Sequence, residues 1–172
     1  PASALAEVAA TIRSNGHYHP QAQFYNKGLV TPEQVLASRM ICSPFRLLDC
    51  CITSEGAGGL IITTAERARD MDAQAVYIVG AGTDRQGMSY TRAPVWNECG
   101  SVGQRAAKRA FEQAQLQPKD IDVCEFYDPF SFEIIRQFEA FGFCQPGEGA
   151  DFISDGRIAT AGVFPLVNIR RL

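Results

Sequence analysis

The chain has 172 residues, 46% of them hydrophobic, with a formal net charge of −3 and two histidines. That length suits one domain able to bury roughly 70% of its unfolded-chain surface. The mild acidity excludes a face built for nucleic acid phosphates, and no apolar run reaches the ~18 residues that a membrane span needs.

In chain order, residues 4–13 read as an alanine-rich helix that stops at Ser14-Asn15-Gly16. The opening Pro1-Ala2-Ser3-Ala4 lacks the plan of a signal peptide, so the expected compartment is the cytoplasm. Residues 17–23 are polar and irregular. Thr31-Pro32-Glu33-Gln34 then has the chemistry of a helix start, with Thr31 as the cap, Pro32 in the first turn and Gln34 closing a capping box. Ser43-Pro44 breaks the chain, so the first fifty residues are expected to hold loops and short helices without a substantial sheet.

The pattern changes at Asp49. Residues 58–64, 75–80 and 121–127 are β-branched apolar runs that read as strands. Residues 65–70 read as a short polar helix, and 101–116 as an amphipathic helix stopped by Gln117-Pro118. Residues 131–141 read as a helix with Ile134, Ile135, Phe138 and Phe141 at helical spacing. Alternating strands and helices imply right-handed crossovers and a mainly parallel sheet.

Six cysteines form no Cys-x-x-Cys pair, so reduced, packed thiols are expected rather than disulfides or a zinc site. Gly80-Ala81-Gly82 follows a strand but lacks the third glycine and the helix of a dinucleotide fingerprint; a turn needing small residues is the expectation. His17 and His19 flank Tyr18 in a polar loop without a nearby third ligand, which reads as a solvated loop. The strongest signal is Tyr127-Asp128-Pro129. A strand that stops there delivers a phenol and a carboxylate to its carboxyl end, where open α/β sheets place their ligands. The competing reading makes Tyr127 a packing residue with its ring in the core and its hydroxyl at the rim.

Three passages resemble the approach to the C-terminal half of thiolase-superfamily enzymes, nearest the sterol-carrier-protein-type thiolases and their lipid-transfer relatives. They are Val35-Leu36-Ala37-Ser38-Arg39-Met40-Ile41, Pro44-Phe45-Arg46-Leu47-Leu48-Asp49-Cys50-Cys51 and Ser54-Glu55-Gly56-Ala57-Gly58-Gly59. Gly80-Ala81-Gly82 and Asp120-Ile121-Asp122-Val123-Cys124-Glu125-Phe126 continue the resemblance in order, from Leu29 to Leu166. It implies an α/β fold, a partial three-layer α/β/α half with a mainly parallel sheet after a loop-rich N-terminal segment. The division implied is 1–48 for the loop and helical segment and 49–172 for a truncated C-terminal half. A mainly antiparallel sheet would count against the assignment.

The resemblance also implies chemistry on acyl-CoA thioesters. Where family members carry Asn-Glu-Ala-Phe or His-Asp-Cys-Phe, this chain has Tyr127-Asp128-Pro129-Phe130. The first of these positions polarises the thioester carbonyl in thiolases; a tyrosine there resembles the branch with aldolases that split steroid side-chain CoA thioesters, and its phenol can donate to an oxygen or pass a proton. The family's nucleophilic cysteine belongs to the N-terminal half, and its Gly-His-Pro and Cys-x-Gly motifs follow the position of Leu166. Here Val167-Asn168-Ile169-Arg170-Arg171-Leu172 stands instead, which reads as a shifted frame or early stop.

The expectation is therefore a thiolase-like protein related to acyltransferases and aldolases of lipid or sterol breakdown, catalytically incomplete alone. No bound cofactor is expected, and a coenzyme A thioester is the substrate in the complete fold. The alternatives are a non-catalytic module docking to an OB-fold partner or an N-terminal thiolase half, and a decayed gene product. An uncovered apolar sheet face forgoes on the order of 10 kcal/mol, so a homodimer or higher oligomer is expected too.

Overall fold

A run of alanines opens the chain and sets its first helix. In the computed structural model, which describes residues 1–71, 74–84 and 100–159, α1 spans Ala2–His17. It runs on through the expected stop because Gly16 is a packing residue. A Cβ there would lie 3.2 Å from the Cβ of Phe24, so the bare glycine lets the following loop close onto the helix.

Two faces of α1 are buried, and they organise the rest. Ala4 and Val8 share the main core with Ile134, Phe138, Ile153 and Ile158. Ala6, Ala9 and Ala10 form a second cluster with Val35, which belongs to α2 (Pro32–Ala37). The α2 start is as its sequence dictates: the Gln34 N–H donates to Thr31 Oγ1 at 3.3 Å and the Thr31 N–H to Gln34 Oε1 at 2.9 Å. Strands β1 (Met40–Cys42) and β2 (Phe45–Arg46) then pair as an antiparallel hairpin around a cis Ser43–Pro44 bond. A 3-10 turn, Leu47–Asp49, leads out of it.

Among the described residues four more helices follow. α3 (Ala65–Arg69) is capped by Thr64, whose hydroxyl accepts the Arg67 N–H. α4 (Gln104–Ala114) ends where Gln115 turns left-handed at φ 56°. α5 (Ser131–Ala140) and the short α6 (Gly149–Phe152) complete the body. Phe138 of α5 sits at its centre, its ring 4.8 Å from Phe126, 5.6 Å from Phe143 and 5.0 Å from Phe152. The contacts with Phe126 and Phe143 are T-shaped, the arrangement aromatic quadrupoles favour. Among the described residues no helix is long and apolar enough to cross a membrane.

The expected mainly parallel sheet is overturned. Among the described residues the only sheet is the two-stranded antiparallel hairpin, and it lies inside the first fifty. Residues 58–64, 75–80 and 121–127 form no ladder with one another. A strand exists only where its N–H and C=O groups meet a neighbour's, and composition supplies the propensity but not the neighbour. Ile61 is 89% exposed and Val76 91%, so these runs have no apolar cover within the described chain. The helices expected between them do form. Gly80 and Gly82 press against α4: a Cβ on either would run into the carbonyl of Ala110 or Ala106 respectively. They are close-approach glycines. Residues 85–99, with Cys99, and residues 160–172 lie outside the described residues.

Candidate active site

Among the described residues, 121–127 join no sheet, yet from Val123 to Asp128 the side chains alternate as a strand's do. Cys124 is buried and Phe126 packs on the core, while Val123 and Tyr127 face outward. That alternation sets Tyr127 with 76% of its surface exposed. The ring is not a core plug. Asp128, on the opposite phase, lines an open cleft that Tyr127 does not line.

The turn after Tyr127 is held from several sides. Its carbonyl accepts from Gln137 Nε2 at 2.7 Å, and the same nitrogen donates to the Glu133 carbonyl at 2.9 Å. The Pro129 carbonyl accepts the Cys51 N–H at 2.9 Å, and Cys50 pairs with Phe130 in an antiparallel bridge. Ser131, first residue of α5, donates its hydroxyl to Asp49 Oδ1 at 2.7 Å. The other carboxylate oxygen of Asp49 accepts the Arg46 N–H at 2.8 Å, which accounts for a carboxylate this deeply buried. Asp128 stands two residues before the α5 cap, Phe130, so the acidic group within the helix's first turn is Glu133 instead.

The cleft beside this turn lies between α1 and residues 48–52. It has about 50 Å³ of room, enough for a few waters, and its walls include Arg13, Gln23, Phe24, Asp49, Cys51 and Asp128. The Arg13 guanidinium lies 4.9 Å over the Phe24 ring, with Nε donating to the Leu48 carbonyl and Nη2 to the Cys50 carbonyl, each at 3.0 Å. Gln23 Oε1 is buried there with no protein partner.

None of the thiols with a resolved shift is an activated nucleophile. Burial pushes Cys124 up to about 12. Burial, then the charges of Glu139 and Glu148, pushes Cys144 up to about 11. Cys50 is raised by burial first and by the neighbouring Asp49 next. The histidines serve their loop: His17 Nδ1 accepts the Gly28 N–H at 3.1 Å and His19 Nδ1 the Gln21 N–H at 3.2 Å. Among the described residues no three His, Cys, Asp or Glu side chains gather as a metal site.

Sequence reasoning singled out Tyr127 and Asp128 and passed over the residues that hold them. Gln137 left a trace, being a polar residue on the stripe of α5 that buries Ile134 and Phe138. Asp49 left one also, as a carboxylate inside the apolar run Leu47-Leu48-Asp49-Cys50-Cys51. Arg13, on the first helix, carried no local signal.

With this geometry in hand, likeness to known proteins locates the chain. The profile of the family described as "Thiolase C-terminal domain-like" matches residues 82–169. The "Steroid side-chain-cleaving aldolase" of Thermomonospora curvata is 38% identical over 165 residues, covering 92% of this chain and 41% of that protein. The "17-hydroxy-3-oxo-4-pregnene-20-carboxyl-CoA lyase" of Mycobacterium tuberculosis is 35% identical over 166 residues, covering 92% and 42%. A solved structure, the "Ltp2-ChsH2(DUF35) aldolase", superposes with a TM-score of 0.81 at 34% identity, covering 96% of this chain and 44% of the matched one. The chain thus spans about two fifths of the length of the curated relatives it matches.

Proposed function

The chain belongs to the thiolase superfamily, in its sterol-carrier-protein and aldolase-like branch, and on that premise we propose that it supplies the Tyr127-Asp128 turn of a lyase site that splits β-hydroxyacyl-CoA thioesters. It is homologous to the acyl-CoA acyltransferases and aldolases of that superfamily. In this reading a base takes the proton of the β-hydroxyl and the carbon–oxygen bond becomes a carbonyl. The bond between the α and β carbons breaks, its electron pair passes to the thioester as an enolate, and a proton on the α carbon completes the products. A ketone or aldehyde and a shortened acyl-CoA result, with no further reactant. Tyr127 donates to the reacting oxygen or passes the proton, and Asp128 sits beside it.

The observation that carries the reading is the exposed phenol of Tyr127 on a backbone anchored by Gln137. Likeness to an aldolase and a CoA lyase favours this over thiolysis, and so do thiols held protonated. The cleft admits a few waters and not a pantetheine arm, so the thioester is read as lying against the exposed side of Tyr127. The relatives' names also support a bulky polycyclic substrate. In the role proposed for them, residues 1–48 wall the site and 49–172 form the thiolase-like half.

A second copy of the chain is the partner proposed for the uncovered apolar runs around Ile61 and Val76. A small OB-fold protein is the further partner, supported by the DUF35 pairing in the matched Ltp2-ChsH2 aldolase. Free thiols at Cys42, Cys50, Cys51, Cys124 and Cys144 favour a reducing compartment, the cytoplasm. The test is cleavage of a β-hydroxyacyl-CoA by the assembled protein, with products followed by mass spectrometry. Tyr127→Phe is expected to lower kcat by about 10²- to 10⁴-fold. Turnover by Tyr127→Phe at the wild-type rate would overturn the reading.

A further inference from the structure

We propose that Gln137 and Asp49 are positioning residues for Tyr127, two buried polar side chains that grip the 127–131 turn at its opposite ends. The inference rests on the reading of Tyr127 as a working group and names what holds it. Backbone holds the middle of the turn, through the Cys51 N–H on the Pro129 carbonyl and the Cys50–Phe130 bridge, while Tyr127 itself is 76% exposed. The two ends of the turn are held by side chains. Gln137 Nε2 spends its two hydrogens on the carbonyls of Tyr127 and Glu133, tying the residue that carries the phenol to the second turn of α5.

Asp49 does the same at the far end. One oxygen takes the Ser131 hydroxyl at 2.7 Å and the other the Arg46 N–H at 2.8 Å, so the carboxylate couples the start of α5 to the hairpin. The 2.9 Å bond from the Cys51 N–H to the Pro129 carbonyl lies between the two grips. Both side chains are buried on apolar surroundings, where a polar group is costly unless every partner is in place. Neither reaches the reacting atoms. They act through the backbone they hold, and a displacement of about 1 Å at a reacting group costs on the order of 10²-fold in rate.

The test is NMR on the full chain with ring-labelled tyrosine, the Tyr127 signal being assigned by its loss in Tyr127→Phe. Gln137→Met keeps the shape and removes the donor; Ser131→Ala removes the hydroxyl that Asp49 holds, and Ser131→Thr keeps it. The expected result is a moved Tyr127 signal in Gln137→Met and Ser131→Ala, its return to the wild-type position in Ser131→Thr, and unmoved signals from Tyr18 and Tyr25. A merely structural role would lower the unfolding midpoint and leave the Tyr127 signal alone. If Gln137→Met fails to fold, the Ser131 pair decides by itself. A Tyr127 signal at the wild-type position in Ser131→Ala, or one displaced equally by Ser131→Thr, overturns the proposal. Neither result depends on turnover. A silent Tyr127→Phe in the lyase assay would remove the phenol's role and leave the grip standing, and an unmoved NMR signal would do the reverse.

Discussion

Two regions of this molecule are equally apolar in sequence and opposite in structure. In the helical body, Val8, Ile134, Phe138, Ile153 and Ile158 are sealed from solvent. Around residues 58–62 and 75–79, Leu60, Ile61, Ile62, Val76 and Ile78 stand open. The difference is in partners. The body's apolar residues repeat at helical spacing and meet faces that the same chain provides, α1 against α5 and α5 against α6. The open runs are apolar on consecutive positions, the signature of a strand covered on both faces, and the described residues provide neither the neighbouring strands nor the cover. Hydrophobicity gives each run its tendency, and the partner decides which of them is core.

The largest test of that contrast is a pair of truncations. Phe138→Ala is expected to destabilise the body by about 3–5 kcal/mol through lost burial and the cavity left behind, read from urea unfolding. Ile61→Ser in the isolated chain is expected to change stability by less than about 0.5 kcal/mol, as at an open surface. Equal losses would mean that the open run is buried after all.

Asp49→Ala should cost less, about 1–3 kcal/mol, by leaving the Ser131 hydroxyl and the Arg46 N–H without their acceptor. The glycines repeat the comparison within the open region. Gly82→Ala sets a methyl against the backbone of α4 and is expected to cost about 1–3 kcal/mol in the thermal unfolding curve. Gly58→Ala meets nothing within 4 Å and is expected to be near neutral.

A further effect is one of pH. The Cys124 thiol titrates near its ordinary value in the unfolded chain and is pushed up to about 12 in the folded one. Between those values the unfolded state holds fewer protons, so stability is full below about pH 9 and declines as pH rises toward 12, by less than about 1 kcal/mol at about pH 9.5. Urea midpoints across that range should fall for the wild type and flatten for Cys124→Ala. Thiol labelling near neutral pH should reach the exposed Cys42 and Cys51 before the buried Cys124.

What was legible in the sequence was local. The Thr31 and Gln34 capping box lies within four consecutive residues, and α5 announces itself by the spacing of Ile134 and Phe138, so both form as read. The parallel sheet was not legible, because a ladder joins residues far apart and the runs 58–64 and 75–80 carry propensity without naming a partner. The antiparallel hairpin does not undo the family: it is a short local excursion at Ser43–Pro44, while the course of the chain follows the matched aldolase. Gly16 misled for the same reason as the sheet. Its contact with Phe24 is tertiary, and the sequence shows only a residue that commonly ends helices. At the site, Tyr127 and Asp128 were visible as the residues where an apolar run breaks. Gln137 and Asp49, which hold that break, are polar residues in apolar company, a pattern whose meaning appears only when the partners are seen.

The proposal that a second copy covers the open runs, while the body folds on its own contacts, is tested most directly by hydrogen exchange. Amide exchange would be measured residue by residue at concentrations below and above the dimerisation midpoint found by sedimentation. Helices α1 and α5 are expected to be protected at both, and residues 58–62 and 75–79 to exchange freely in the monomer and become protected in the dimer. Protection of those runs in the monomer, or free exchange of both in the dimer, would contradict it.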